Sequence, residues 1–352
     1  MNSICRHFGV CGGCSLQDLT PDAYRRHKRA LVEKALACAG LDRVVVNDPI
    51  LSPEKSRRRA VFKFGKEKGH VVAGFHAARS HQVVDMRECL VLSKALLDFT
   101  TTLRLAMAPI LAEGEKAEVH VTNTANGLNL AFRWPRKLTP SLTTGMAKAF
   151  AGSDIARIVF NGEILLERSK PEVTFDSISV IPPPHAFLQA TREGEETLRA
   201  RVIELTDGAK AIVDLFAGLG TFSLPLARRA KVHSVEQDGD ALAALAEAAR
   251  KTPGLKPVTT EKRDLFKTPL TIPELKRFDA VVLDPPRAGA ETQVKLLAAS
   301  NIPRVAYVSC DASSFARDVA ILVQAGFQLG DVTPVDQFLY SDQIEMVAGF
   351  TR

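Results

Sequence analysis

The stretch Ala211-Ile212-Val213-Asp214-Leu215-Phe216-Ala217-Gly218-Leu219-Gly220-Thr221 decides the fold. An apolar run of strand length gives way to a turn with two glycines, and a helical pattern resumes over 221–230. A strand that opens into such a turn and then a helix begins a parallel strand–helix–strand unit, with a ligand crevice at the strand's carboxyl end. Two further strand ends have the same form. Asp284-Pro285-Pro286-Arg287 closes the run 278–284, and Cys310 follows Arg304-Val305-Ala306-Tyr307-Val308-Ser309 just before a helix opens at Asp311. Three strand ends round one crevice, one of them carrying a thiol, point to an enzyme.

Outward from this stretch the pattern alternates strictly. Helix 191–206, strand 210–216, helix 221–230, strand 231–236, helix 239–250 and strand 257–261 are followed by strand 278–284, helix 290–299, strand 303–309 and helix 312–325. Two strand-like pieces, Gln328–Val335 and Glu345–Phe350, end the chain without a helix between them. Alternation requires right-handed crossovers and a mostly parallel sheet, and two successive terminal strands predict a hairpin on its edge. The fold class is α/β, with the outline of a Rossmann-like domain.

Upstream the pattern is mixed. A cysteine-rich loop precedes a helix at about 22–39, then strands at Arg59–Gly65, His70–His76 and Ser80–Met86, a helix from Ser93 to about Leu111, strands at Ala117–Asn123, Leu128–Trp134 and Ile155–Asn161, and a helix near Thr143–Phe150. Strands at Ile164–Glu167 and Glu172–Asp176 lead to Ile181-Pro182-Pro183-Pro184-His185, where three prolines end regular structure and mark a boundary. The expected division is a cysteine region over 1–48 plus 80–92, a central α+β domain over 49–184 and the Rossmann-like domain over 185–352.

The composition, 46% apolar and 24% charged over 352 residues, is that of a globular chain. No run of about 18 apolar residues predicts a membrane span, and Met1-Asn2-Ser3-Ile4-Cys5-Arg6-His7 does not read as a secretory signal. A cytoplasmic monomer is expected. The net charge of +6 is uneven: residues 1–100 hold 17 Lys/Arg against 10 Asp/Glu, a surplus of +7, which leaves −1 for the rest. Arg57-Arg58-Arg59 with Lys63, Lys66 and Lys68, and Arg25, Arg26, Lys28 and Arg29 on a helix, suit phosphate contacts, although a charge run is also an ordinary solvated face.

Cys5, Cys11, Cys14 and Cys89 form a C-x5-C-x2-C set with a distant fourth member. Gly9, Gly12 and Gly13 let the backbone wrap closely round a ligand, and four thiolates suit an iron–sulfur cluster or a structural zinc; spacing alone does not separate the two. Cys38, on the pattern Tyr24, Leu31, Ala35, Cys38, reads as a small core residue.

In the crevice, Gly218 and Gly220 let the turn pass close to a ligand, and Glu236, at the end of the next strand, suits two ribose hydroxyls. The turn lacks a third phosphate-binding glycine, and Asp214 favours an ammonium over a pyrophosphate. Both features select S-adenosylmethionine over a dinucleotide.

Together these motifs resemble the RNA uracil-5-methyltransferase family. The likeness rests on Cys5-x5-Cys11-Gly-Gly-Cys14, Gly74-Phe75 to Cys89, Phe187-Leu188-Gln189, Asp214 to Ala227, Asp284-Pro-Pro-Arg287, Tyr307-Val-Ser-Cys310-Asp311, and Asp336-Gln-Phe338 with Glu345-Met-Val347. The resemblance implies methylation of carbon 5 of a uridine in transfer or ribosomal RNA, with ribosomal RNA slightly preferred. It implies a 4Fe–4S cluster on Cys5, Cys11, Cys14 and Cys89, and methyl-donor contacts from Gln189, Phe216, Thr221, Glu236, Asp264 and Asp284.

Carbon 5 of uracil is a poor nucleophile, so a thiolate must first add to carbon 6 and make the ring an enolate. Cys310 is the expected nucleophile. A base must then take the carbon 5 proton, a role the resemblance gives to Glu345; Arg287 is expected to help hold the flipped nucleotide. Three positions depart from the family pattern: Gln343 stands for a frequent His, Ala190-Thr191 for Val-Asn after the Gln, and Thr221 for a frequent Asn. The family's small N-terminal β-barrel is not expected before the cysteine loop. Two other readings are a methyltransferase acting on exocyclic amines through Asp284-Pro-Pro, which needs no cysteine, and a non-catalytic metal-cluster protein that binds RNA.

Overall fold

A computed structural model describes residues 4–352. The N-terminal part gives helix α1 (Pro21–Cys38) and the short strand β1 (Ile50–Leu51). The central part contains β2 (Arg59–Glu67), β3 (His70–Gly74), α2 (Lys94–Met107), β4 (Lys116–Thr124), β5 (Gly127–Arg133), α3 (Pro140–Ala149), β6 (Ile155–Phe160) and β7 (Glu163–Glu167). A hairpin of β8 (Val173–Phe175) and β9 (Ile178–Val180) leads into α4 (Arg192–Leu205), β10 (Ala211–Leu215), α5 (Ser223–Leu226), β11 (Lys231–Glu236), α6 (Gly239–Lys251) and β12 (Val258–Lys262). The chain ends with α7 (Ile272–Leu275), β13 (Ala280–Leu283), α8 (Glu291–Ala298), β14 (Arg304–Ser309), α9 (Ala312–Gln324), β15 (Gln328–Leu329), β16 (Thr333–Asp336) and β17 (Glu345–Thr351).

The large sheet runs β1-β16-β17-β14-β13-β10-β11-β12, with β15 paired to β17. Strands β10 to β14 are mutually parallel, and β17 returns antiparallel between β14 and β16. Both faces are covered, so β13 and β14 read as unbroken apolar runs. One face packs Val213, Leu215 and Tyr307 against α1, α8 and α9; the other packs Ile212, Val282 and Val308 against α4 and α5. Each such side chain stabilises the fold by roughly 1.5–3 kcal/mol. The chain leaves β10 in one direction for β11 and β12 and reaches β13 and β14 on the other side, so the crevice lies between the carboxyl ends of β10 and β13.

The central sheet, β3-β2-β4-β5-β6-β7, buries Phe62, Phe64, Val119, Val121, Leu130 and Phe132 against α2 and α3. The β8–β9 hairpin packs Phe175 and Ile178 against Leu219, Leu245 and Ala248 of the large-sheet half, and α1 packs Val32 and Leu36 there as well. No helix among the described residues is long and apolar enough to cross a membrane.

Several expected elements come out differently. Ser80–Met86 is no regular strand: it follows β3 through Val84 N–H to Phe75 O at 2.8 Å and Met86 N–H to Ala73 O at 2.9 Å, with one bridge at His76 and Val83. Helix 221–230 shrinks to α5: Pro225 lacks the N–H that would bond back to Thr221, and beyond Ala227 the chain tightens into three-residue turns, Arg228 N–H to Pro225 O and Arg229 N–H to Leu226 O. Gln328–Val335 breaks at Gly330-Asp331 into β15 and β16. Cys38 is exposed, not core. The buried stripe of α1 is Tyr24, Lys28, Val32 and Leu36, and two residues beyond Leu36 is some 200° round a helix with about 3.6 residues per turn.

Candidate active site

The ends of β14 and β17 bring Cys310 and Glu345, the expected nucleophile and base, together. Strands β14 and β17 pair antiparallel up to Ser309 opposite Met346, and Cys310 and Glu345 are the residues next beyond that last pair. They lie close enough for the Glu345 carboxylate to raise the Cys310 thiol. Glu345 is 3% exposed, and its Oε2 has no hydrogen-bond partner among the described residues. Burial pushes its carboxyl up to about 7, against the pull of Arg59 and Arg287. A carboxylate held near neutrality is suited to proton abstraction. Burial, then the carboxylates of Glu345 and Asp284, push the Cys310 thiol up to about 12, and Arg287 pulls it down. The thiol therefore stays protonated in the free protein, and the two carboxyls cease to oppose its ionisation once they take up protons.

The β10 turn surrounds the neighbouring crevice. Phe216, with φ of 64°, and Gly218, with φ of 53°, bend the chain back over the strand end. Gly220 sits where a Cβ would lie 2.8 Å from Leu245, so only glycine lets this turn pack on α6. Gly218 N–H donates to Glu236 Oε2 at 3.0 Å, and the other oxygen of Glu236 accepts from the N–H groups of Gln237 and Asp238. The Phe216 and Phe266 rings lie 5.5 Å apart and form an apolar wall, while Asp264 accepts the Phe266 N–H and pairs with Lys267. Gln189 donates to Asp284 at 3.3 Å and accepts from Gln337 at 2.9 Å, which ties the Phe187-Leu188-Gln189 segment to the end of β13. Burial, with Glu345 and Asp214 nearby, raises the Asp284 carboxyl well above the carboxylate range. Thr221 is partly buried at the start of the following turn.

Asp214 is fully buried, takes the Ser223 hydroxyl at 2.5 Å and is pushed by burial to about 7; its Oδ1 has no partner among the described residues. An orphaned carboxylate oxygen beneath the turn fits an ammonium-bearing ligand, as does the absence of any lysine or arginine from the turn itself.

Cys5, Cys11, Cys14 and Cys89 line one cavity of about 1010 Å³, which extends to Arg57, Arg287, Phe338 and Gln343. Close backbone passage shapes it: a Cβ on Gly12 would lie 3.1 Å from His76 O. Burial first, with neighbouring thiols adding to it, pushes Cys14 up to about 11, and the thiols of Cys11 and Cys89 rise in the same direction. Among the described residues no three His, Cys, Asp or Glu side chains are grouped closely enough to hold a metal ion. All-sulfur donors suit a cationic group in their chemistry, and the four thiols share one cavity without being drawn to a point.

The basic residues expected on phosphate are largely occupied. Arg58 is buried in an ion pair with Glu195, Lys28 is buried on Asp336, and Lys63 pairs with Glu118. Arg57 lies over the Phe338 ring at 5.6 Å, and Arg59 over the exposed Phe187 ring at 4.5 Å. Sequence reasoning missed Arg59 as a neighbour of Glu345 and Lys28 as a core residue; a lysine in register with Tyr24, Val32 and Leu36 was the available sign of the latter.

The profile of tRNA (uracil-5-)-methyltransferases matches residues 258–351. An uncharacterized RNA methyltransferase of Rhizobium meliloti is 43% identical over 350 residues, 98% of this chain and 84% of that one. The 23S rRNA (uracil(1939)-C(5))-methyltransferase RlmD of Thiobacillus denitrificans is 31% identical over 374 residues, 99% of this chain and 85% of the other. In fold, the chain is similar to the tRNA (uracil-54, C5)-methyltransferase of Pyrococcus abyssi, solved with S-adenosyl-L-homocysteine, with a TM-score of 0.75 at 21% identity over 97% of this chain and 86% of that one. With the sheet, the crevice and whole-length relatives in agreement, the chain belongs to the RNA uracil-5-methyltransferase family and is an S-adenosylmethionine-dependent RNA methyltransferase.

Proposed function

We propose that the protein methylates carbon 5 of one uridine in a structured RNA, ribosomal in preference to transfer RNA, through a covalent bond from Cys310 to uracil carbon 6. The observation that carries this reading is that Cys310 and Glu345 stand next beyond the last pair of β14 and β17, close enough for the carboxylate to act on the thiol. The ribosomal preference rests on RlmD, a relative named for 23S rRNA that aligns along nearly the whole chain.

The bound methyl donor supplies an electrophilic methyl on a sulfonium. Gln189, Phe216, Gly218, Thr221, Glu236, Asp264 and Asp284 form its site, with Asp214 for the ammonium. Cys310 gives its proton to solvent as its sulfur bonds to carbon 6, and the pair of the 5,6 double bond moves onto carbon 5. Carbon 5 takes the methyl as the donor's sulfur–methyl bond breaks and its electron pair stays on that sulfur as a thioether; Glu345 then takes the carbon 5 proton, and the Cys310 sulfur leaves carbon 6 with its pair to restore the ring. Arg287 favours the ionised forms of both groups. A 4Fe–4S cluster on Cys5, Cys11, Cys14 and Cys89 would order the loop beside this site. The region 1–48 plus 80–92 would hold it, while 49–184 binds RNA and 185–352 carries out the chemistry.

With 5-fluorouridine at the target, fluorine cannot leave as a proton, so an adduct through Cys310 should accumulate and survive denaturing electrophoresis. Methylation at the normal rate by Cys310→Ala would sink the covalent reading and leave amine methylation through Asp284-Pro-Pro as the better account. Protein purified without oxygen should be brown and contain iron; a colourless zinc protein of full activity would overturn the cluster.

A further inference from the structure

Residues 337–344 connect β16 to β17, deliver Gln343 to Arg287 and end at Glu345. Their fixing points lie on α1. Lys28 is 0% exposed, and its ammonium donates to Asp336 Oδ1 at 3.0 Å, to the Gln343 carbonyl at 2.6 Å and to the Phe338 carbonyl at 3.4 Å. All three ammonium hydrogens are used, and they reach the strand end before the connection and points near both of its ends. Asp336 also takes the Tyr24 hydroxyl and the Phe338 N–H, and the Tyr24 oxygen accepts the Tyr340 N–H at 2.8 Å. From the other side the Ser15 and Leu16 N–H groups donate to Tyr340 O at 2.7 and 3.0 Å.

With its backbone held by Lys28, Gln343 turns its side chain to Arg287, and its Oε1 accepts from the guanidinium. Gln343 borders both the cysteine-lined cavity and the groove of about 620 Å³ that Cys310 lines. The charged groups facing Glu345 are Arg59 on β2, Asp284 after β13, Arg287 beyond it, and the Cys310 thiol after β14. Those facing Lys28 are Asp336 and Asp342.

We propose that Lys28 is a positioning residue for methyl transfer: through the Gln343 carbonyl and the Gln343–Arg287 hydrogen bond it holds Arg287 beside Cys310 and Glu345. This rests on the function proposed above. Lys28 touches neither substrate nor methyl donor. It acts through two successive bonds, one donated by a buried ammonium to the Gln343 carbonyl and one donated by the Arg287 guanidinium to the Gln343 amide oxygen.

Three variants test it in the full chain with its native metal content. Lys28→Met removes the ammonium. Lys28→Met/Asp336→Asn removes both charges of the buried pair, so that no uncompensated carboxylate is left behind. Gln343→Ala cuts the far link at a partly exposed position and leaves the buried pair intact. The readouts are 5-methyluridine formation against pH, KM for S-adenosylmethionine, and the pH dependence of Cys310 alkylation by iodoacetamide without RNA, followed by mass on the Cys310 peptide.

In the double variant and in Gln343→Ala, kcat should fall by up to about 10²-fold, as for a misplacement near 1 Å. KM for the methyl donor should hold. The acid limb of activity and the Cys310 alkylation midpoint should both move to higher pH, because the ionised forms lose their cation. A double variant with wild-type kcat and an unmoved alkylation midpoint would overturn the proposal, since Lys28 would then only neutralise Asp336; an unmoved Gln343→Ala would do the same. Should the wild-type protein form no 5-methyluridine while the alkylation midpoint still tracks Lys28, the functional reading fails and the positioning role survives.

Discussion

The β16–β17 connection has a buried carboxylate at each end, and the protein treats the two in opposite ways. Asp336 is fully buried and satisfied on both oxygens, by Lys28 and the Phe338 N–H on one and by the Tyr24 hydroxyl on the other. Glu345 is nearly as buried, has an oxygen with no partner among the described residues, and depends on two arginines that are neighbours without being hydrogen-bonded to it. Pairing makes the first carboxylate an anchor. Withholding a partner leaves the second near the protonation midpoint at neutral pH, where a group can both accept and release a proton. A buried, unsatisfied carboxylate costs stability, and its place beside the Cys310 thiol suits the proton transfer proposed for it.

The largest effect should come from the unpaired end. Glu345→Gln keeps the shape and removes the base, so turnover should fall on the order of 10²–10⁴-fold. The Cys310 adduct should still form and should persist on ordinary RNA, because the carbon 5 proton has no acceptor. Steady-state methylation and denaturing gels of the enzyme with unmodified RNA check both points. Undiminished turnover would make Glu345 as inert as Asp336 and erase the contrast.

The paired end should answer in stability. Asp336→Ala leaves the Lys28 ammonium buried without a counter-ion, and breaking one side of a buried pair costs about 3–5 kcal/mol. Urea unfolding of variant and parent is the measurement, and a change below about 1 kcal/mol would show that the pair is solvated after all.

How much of this was open to sequence reading follows from the same contrast. The large sheet was legible because strands buried on both faces leave apolar runs, and because glycine, proline and cysteine stand at strand ends where turns and chemistry need them. Asp284, Cys310 and Glu345 were singled out in this way, from strand ends and motif resemblance, and the fold brings the three together. Lys28 and Arg58 were not. A lysine on a helix or an arginine in a basic run reads as solvated face, and only the tertiary arrangement supplies the Asp336 and Glu195 that permit burial. Cys38 failed for the complementary reason: with Lys28 counted as polar, the apolar residues of α1 suggested a stripe rotated away from the real one. Ser80–Met86 looked like a strand because it does run beside β3, in contacts too irregular to form a ladder.

The smallest effect sharpens the contrast through pH. Glu345 has a carboxyl raised from 4.5 to about 7 in the folded protein. Between those values the native state binds a proton that the unfolded chain does not, so this group makes stability fall as pH rises through the window, by about 3 kcal/mol in all. The usual paired carboxylate behaves with the opposite sign. An amide at this position cannot ionise, so Glu345→Gln should match the parent in stability near pH 4.5 and exceed it by up to about 3 kcal/mol above pH 7. Asp284, raised by burial with Glu345 as its largest charged neighbour, should ionise more readily in the variant and add to the gain. Denaturant midpoints measured across this range decide it: a gain that grows with pH confirms the orphaned carboxylate, and a constant offset would mean that Glu345 finds a partner in solution after all.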